Sequence, residues 1–223
     1  IDYAIACDRK PSLVVVTDLD DARLARAEQI LSVEKAAAKG VKLVYLNTGK
    51  LDDPVAHMME LTGGKGYNDV FVYAPVKPVV EMGDKLLARD GCLNFFAGPT
   101  NPAFSAEFNF YNVHYGSTHI VGTSGGNTDD MREALRMMES GDINPAAMIT
   151  HIGGMNTVVD TVLRLPEIKG GKKLIYTNKD MPLVAISDFA ELMGLDEESF
   201  SPESNTVGGW TLEMFGDFPH AGD

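Results

Sequence analysis

The segment LVVVTD, residues 13–18, constrains this chain more than any other: an unbroken apolar run that closes on an acid and leads straight into the helical stretch DDARLARAEQILSVEKAAAKG. A continuous run of branched aliphatics suits a strand buried on both faces, which is the situation of a parallel sheet covered by helices. An acid at the tip of such a strand, before a helix, is how the second strand of a dinucleotide-binding domain ends, its carboxylate taking the adenosine ribose hydroxyls. The first strand and its G-x-G-x-x-G turn should precede it by about 20 residues. Residues 1–8, IDYAIACD, read instead as a helix end. The sequence is therefore expected to be the downstream part of a longer chain.

The alternation continues as far as Gly98. VKLVYL (41–46), NDVFVYA (68–74) and CLNFFAG (92–98) are apolar strands, separated by the amphipathic stretches DDPVAHMMELTGGKG and KPVVEMGDKLLARDG. Strand, helix, strand with short connections predicts an α/β fold with a doubly wound parallel sheet, here lacking its first strand and glycine-rich loop. GGKG (63–66) lacks the spacing of a phosphate loop and reads as a plain turn.

After Gly98 the rhythm changes. NFYNVHYGSTHIVGTSGG (109–126) reads as a strand, a break and a second strand. NTDDMREALRMMESG (127–141) is a helix, with Asn127 and Thr128 as caps, Asp129 and Asp130 at the positive end of its dipole, and Met131, Ala134, Leu135 and Met138 as a stripe expected to face a core. PAAMITH, MNTVVDTVLRLPEI and KKLIYTN add a strand, a helix and a strand. SDFAELMG (187–194) suits a short helix, and the tail carries Trp210 and Phe215. A boundary near Gly126 gives two parts, 1–126 and 127–223.

Composition narrows the partners. A net charge of −13 over 223 residues disfavours nucleic acid and anionic membranes. No apolar run approaches the ~18 residues of a membrane span. Cys7 and Cys92 are far apart in sequence with no CxxC or Cys/His cluster, so they predict neither a disulfide framework nor a zinc site, and suit a reducing, cytoplasmic setting as two small buried hydrophobes.

The order VVVTDLDDARLARAE, NDVFVYA, GCLNFFAG, HIVGTSGGNTDDMREAL, ITH and GGKKLIY resembles the medium-chain dehydrogenase/reductase superfamily, the zinc-type alcohol and polyol dehydrogenases. The likeness covers roughly residues 1–178, and FNFYNVHYGSTHIVGTSGG looks closest to sugar-phosphate members of the L-sorbose 1-phosphate reductase type. The resemblance implies a Rossmann domain followed by a segment (127–223) that returns to a GroES-like catalytic domain. The zinc ligands and catalytic residues would lie upstream of Ile1. It implies NAD as cofactor, zinc in the parent enzyme, a polyol or sugar-phosphate substrate, and a homodimer or homotetramer joined through the edge around NFYNVHYGSTHIV.

Asp18 is the leading cofactor residue, because a carboxylate there accepts from both ribose hydroxyls and repels a 2′-phosphate; its competing role is as the N-cap of the following helix. Arg23 matches a family position near the adenosine end. Ligands of open α/β sheets sit beyond the carboxyl ends of the strands, which places Ala74 and Pro75 on the adenosine side and Ala97 and Gly98 near the nicotinamide ribose. By family position Gly122, Thr123 and Ser124 offer main-chain groups to the carboxamide. His151 reads as structural, His114 and His119 as packing or interface residues, and Lys172 and Lys173 are within the family's reach of the pyrophosphate or form a solvated pair.

In the order 3-2-1-4-5-6 the first strand is central. Without it the strands at 13–18 and 68–74 are expected to expose unpaired ladder edges, or else to close on one another, and the isolated chain is not expected to form a stable monomer. Two other functions stay open: a zinc-independent NADPH reductase of the same superfamily, and a non-catalytic nucleotide-binding or scaffold protein built on a Rossmann remnant.

Overall fold

A computed structural model describes residues 1–188. Its elements in chain order are α1 (Asp2–Ala6), β1 (Leu13–Asp18), α2 (Asp21–Ile30), α3 (Val33–Ala38), β2 (Lys42–Asn47), α4 (Pro54–Leu61), β3 (Tyr67–Val72), α5 (Lys77–Lys85), β4 (Leu87–Phe95), α6 (Phe110–Tyr115), β5 (His119–Gly122), α7 (Thr128–Glu139), β6 (Ile149–Gly154), α8 (Val158–Leu163), β7 (Lys172–Tyr176) and β8 (Val184–Ala185). The chain divides into two compact units, Ile1–Arg136 and Met137–Asp223.

In the first unit β1 and β2 pair in parallel from Leu13↔Lys42 to Asp18↔Asn47. A second parallel ladder runs β3-β4-β5. No ladder joins β1 to β3 among the described residues, so the two flanking strands have not closed on one another. In a doubly wound sheet the pair β2-β1 and the trio β3-β4-β5 stand either side of the first strand. Among the described residues β1 therefore pairs with β2 alone and β3 with β4 alone, each leaving one side without a ladder.

Each ladder has its own core. Ile5 of α1, Ala36, Val41 and Leu43 are buried together, with Val14, Val16, Leu31 and Tyr45 packed against them. The second core is Val72, Val80 and Leu93, lined by Val70, Phe95, Phe104 and Phe108 among others. Gly83 lets α5 lie close on this ladder: a Cβ there would come within 2.9 Å of Leu93 Cδ1 and 3.3 Å of Val70 Cγ1.

The stretch expected as one helix after β1 is two. Leu31 ends α2, and the Ser32 side chain accepts from Lys35 N, opening α3 with a cap of its own. A cap residue inside a helical pattern competes with helix continuation. A second correction concerns residues 110–115. They form α6 rather than a strand, because Asn109 caps them: its Oδ1 accepts from Tyr111 N, and its own N–H donates to the buried Asp84 carboxylate.

Helix α7 starts as its caps predict, with Asn127 Oδ1 accepting from the amides of Asp129 and Asp130. Its apolar stripe does not face a core. Met131, Leu135 and Met138 are exposed, and Ala134 is half-buried. The cysteines also depart from expectation: both are free, but Cys7 and Cys92 are half-buried rather than fully enclosed.

The second unit holds a sheet of order β7-β6-β8, with β6 parallel to β7 and antiparallel to β8. Ile152 is its most buried side chain among the described residues. The expected helix at 187–194 and the tail with Trp210 and Phe215 lie outside the described residues, apart from a 3₁₀ turn at Ile186–Asp188.

Candidate functional site

Asp18 ends β1, and the local sequence frees it from the capping role. The N-cap of α2 is Asp20, whose Oδ1 accepts from Ala22 N and Arg23 N. Asp18 is held otherwise. Its Oδ1 accepts from Leu19 N (2.6 Å) and Asp20 N (2.9 Å), and Arg23 grips both oxygens, Nη2 to Oδ1 at 2.6 Å and Nε to Oδ2 at 2.9 Å. The Arg23 fork beside it, more than the backbone donors, holds the Asp18 carboxyl down at about 2. A carboxylate offers about four acceptor sites. Those on Oδ1 are taken, while Oδ2 has one donor only and keeps capacity for a ligand hydroxyl. Arg23 is two-thirds exposed, so its guanidinium borders the same opening.

The remaining residues expected at the site gather at strand ends. Ala74 and Pro75 follow β3 directly, and Ala97 and Gly98 follow β4. The amides of Phe96 and Ala97 both donate to Val72 O at 3.0 Å, which ties these two ends together. Gly122 closes β5 opposite Phe95, and Thr123 Oγ1 donates to Asn94 Oδ1 at 3.0 Å. Ala97 is buried, whereas Pro75, Gly98, Gly122, Thr123 and Ser124 are exposed. Residues from β3, β4 and β5 thus meet at one carboxyl edge, and Asp18 with Arg23 occupies the carboxyl end of β1 in the other ladder.

Asn47 was not singled out from the sequence. It ends β2 opposite Asp18, donates to Leu19 O and Asp21 Oδ1, and accepts from Gly49 N, so it braces the Asp18 loop. The rule that found Asp18, a polar residue closing an apolar strand, applies equally to VKLVYLN.

Lys172 and Lys173, read as either within reach of the pyrophosphate or a solvated pair, sit differently in β7. Lys173 Nζ donates to three carbonyls of its own loop, Ile168 O, Lys169 O and Gly171 O, at 3.1, 3.3 and 2.8 Å. Lys172 is exposed. Of the histidines, His119 meets Asp90 on the surface at 3.0 Å, and His114 stacks edge-on against Tyr115.

His151 lies in β6, beside Thr150 Oγ1 at 2.9 Å, and lines an open cleft of about 590 Å³ with Asn156, Asp160, Arg164 and Asp188. Burial, then the Lys173 charge, push its pKa below the usual value, while Asp188 opposes them. The folded second unit therefore prefers the neutral ring. Its stability should be intact above about pH 6.5 and decline as pH falls through the lower folded value, because protonation is then harder in the folded state. Melting curves at pH 5 and pH 8 check this, and His151→Asn should flatten the difference.

Among the described residues no three His, Cys, Asp or Glu side chains lie together to hold a metal, and no helix is long and apolar enough to cross a membrane.

The sequence model of the zinc-binding dehydrogenase family matches residues 4–140. The chain is 55% identical over 207 residues to mannitol-1-phosphate 5-dehydrogenase of Aliivibrio fischeri, covering 93% of this chain and 48% of that protein. It is 44% identical over 191 residues to L-sorbose 1-phosphate reductase of Klebsiella pneumoniae, covering 86% of this chain and 45% of that one. The chain thus spans about half the length of the curated relatives it matches. Among solved structures, an alcohol dehydrogenase zinc-binding domain protein from Burkholderia ambifaria superposes with a TM-score of 0.63 at 16% identity, over 80% of this chain and 46% of that one. An E. coli CFT073 alcohol dehydrogenase (rspB) complexed with NADH gives 0.57 at 14% identity, over 83% and 48%. These two show the fold: a Rossmann-type α/β domain. By the extent of the family match, and in agreement with the ordered motifs read from the sequence, the chain belongs to the zinc-binding dehydrogenases of the medium-chain superfamily.

Proposed function

We propose that this chain is the cofactor-binding portion of an NAD(H)-dependent oxidoreductase that interconverts a polyol or sugar-alcohol phosphate and its keto form. The observation that carries the cofactor assignment is the Asp18 carboxylate at the carboxyl end of β1, ionised at neutral pH, with acceptor capacity left on Oδ2. The two sugar-phosphate relatives support the substrate class.

In this reading the chain's work is binding and orientation. Asp18 takes the ribose hydroxyls of the adenosine half, and Arg23 covers them. Ala74 and Pro75 flank that half, Ala97 and Gly98 approach the nicotinamide ribose, and Gly122, Thr123 and Ser124 present main-chain groups to the carboxamide. The bound cofactor supplies or accepts the hydride. In the same reading the ligands of the family's zinc lie in the part of the relatives' length that this chain does not span. The functional division at 1–126 and 127–223, and a cytoplasmic location, belong to the same reading.

The test is cofactor choice in the full-length enzyme, measured as kcat/KM with NADH and with NADPH. A preference for NADH is expected. An NADPH preference would sink the Asp18 argument and favour the zinc-independent reductase. Failure of both cofactors to bind would favour the scaffold reading.

A homodimer through β5 is part of the proposal. The residues of β5 are all exposed, Ile120 and Val121 among them, and its outer edge pairs with nothing among the described residues. An open apolar edge invites a second strand. Because 110–115 are helical, only His119–Gly122 can supply that edge. Val121→Lys is expected to shift the light-scattering mass toward the monomer, and an unchanged mass would remove β5 from the interface.

A further inference from the structure

We propose that Asn47 is a positioning residue for the cofactor: it acts through the Leu19–Asp20 peptide to hold the Asp18 carboxylate in the direction that receives the adenosine ribose hydroxyls. The proposal rests on the reading above, in which Asp18 takes those hydroxyls.

Register puts Asn47 in place. β1 and β2 run parallel and in step, and the last pair of their ladder is Asp18↔Asn47. The two strands therefore release their chains side by side, one into Leu19 and Asp20, the other into the 3₁₀ turn Thr48–Lys50. A carboxamide carries two N–H donors and an acceptor oxygen. Asn47 Oδ1 accepts from Gly49 N at 3.0 Å, which closes its own turn. Nδ2 crosses to the other chain and donates to Leu19 O at 3.1 Å and to Asp21 Oδ1 at 2.8 Å. Both donors and the acceptor are thus engaged within the two turns, so any action of Asn47 on a ligand is indirect.

The route is a single peptide group. Leu19 O and the Asp20 N–H belong to the same planar unit. At one end of that plane Asn47 holds the carbonyl. At the other the N–H donates to Asp18 Oδ1 at 2.9 Å. Turning the peptide would break both bonds together, so a pinned carbonyl keeps the amide aimed at Asp18. That amide, with Leu19 N and Arg23 Nη2, fixes Oδ1 and leaves Oδ2 with Arg23 Nε as its one donor.

Two further contacts stiffen the link. Lys50 Nζ meets Asp21 Oδ2 at 2.6 Å, so the acid that Asn47 holds by one oxygen is held by the other from the same 3₁₀ turn. Gly49 lies close to Leu19: an added Cβ would come 3.2 Å from Leu19 Cδ2 and 3.3 Å from Asn47 Oδ1. The turn after β2 is therefore fitted against the turn after β1.

The test is a double-mutant cycle in the full-length enzyme, with NADH affinity measured by fluorescence titration for the parent, Asp18→Ala, Asn47→Ala and the double variant. Asn47→Ala is expected to weaken NADH binding about 3- to 10-fold, the size of one neutral hydrogen bond. In the Asp18→Ala background the same substitution is expected to cause no further loss, because the group it orients is gone; a general loss of stability produces no such coupling. Asn47→Asp keeps the acceptor for Gly49 N, loses both donations and sets a second carboxylate beside Asp21. It is expected to weaken binding at least as much, and it replaces the alanine variant in the cycle if that one does not fold. Equal losses in the two backgrounds would overturn the proposal. Unchanged affinity for the Asn47 variants beside a weakened Asp18→Ala would overturn it too, and would leave the cofactor reading standing. If Asp18→Ala binds NADH as the parent does, the cofactor reading fails and the proposal fails with it.

Discussion

Asp18→Ala in the assembled enzyme is expected to weaken NADH binding by roughly 10- to 100-fold, the size of losing hydrogen bonds to a charged group at about 1.5–3 kcal/mol. The effect follows from how the carboxylate is held. Its Oδ1 is occupied by two backbone amides and one arm of Arg23, so the group is fixed in direction before any ligand arrives. A pre-oriented acceptor meets its donors without ordering cost. The alanine variant also removes the charge that repels a 2′-phosphate and releases Arg23 to meet one. The ratio of NADPH to NADH use should therefore rise beyond the simple loss of NADH affinity. Fluorescence titration with the two cofactors separates these effects, and an unchanged NADH affinity would remove Asp18 from the site.

Acid supplies a second readout on the same residue. Its folded pKa lies near 2, below the ordinary 3.8, because Arg23 and then the backbone donors favour the ionised form. The stabilisation is fully present above pH 3.8 and is lost as pH falls toward 2. Arg23→Met should remove most of that acid dependence while leaving the Asp20 cap of α2 in place.

Leu93→Ala is expected to be the most destabilising single change in the first unit, at roughly 2–5 kcal/mol. Leu93 is fully buried in the carboxyl-terminal half of β4, between β3 and β5 by register, and packs with Val72 and Val80 under α5. Truncation leaves a cavity that α5 cannot collapse to fill, since its closest approach is already through Gly83. The converse change, Gly83→Val, has the opposite fault. Branched methyls would be forced against Leu93 Cδ1 and Val70 Cγ1, at a cost of about 1–3 kcal/mol. Denaturant titration of each variant in the assembled enzyme, where the first unit is folded, compares them. If Leu93→Ala is neutral, this cluster is not the core of the ladder.

Much of this was legible in the sequence, and for local reasons. LVVVTD became β1 at the residues expected, because an apolar run bounded by Ser12 and a capped helix has only one extended solution. At β1 and β3 strand order left two outcomes, open edges or closure on one another, and among the described residues no ladder joins the two strands. Three readings failed where a capping side chain or an absent neighbour decides. Ser32 split one helix into two, and Asn109 turned an apparent strand into α6, both through short side-chain bonds that periodicity does not register. The methionine stripe of α7 has the spacing of a buried face, yet Met131 and Leu135 are exposed, because burial depends on what lies opposite. At the site, the strand-end acid was readable from its position. That Asp20 and not Asp18 caps α2 was not, since either acid satisfies the pattern and only the backbone direction chooses between them.

The three carbonyls around Lys173 have a consequence in reactivity. An ammonium whose three N–H groups are all engaged must break that cradle before its nitrogen can present a lone pair. Its neighbour Lys172 stands exposed one residue away. Side by side in the same strand, the two amines report opposite things to an acylating reagent: Lys172 registers the reagent's presence, and Lys173 registers whether the loop from 168 to 171 is closed.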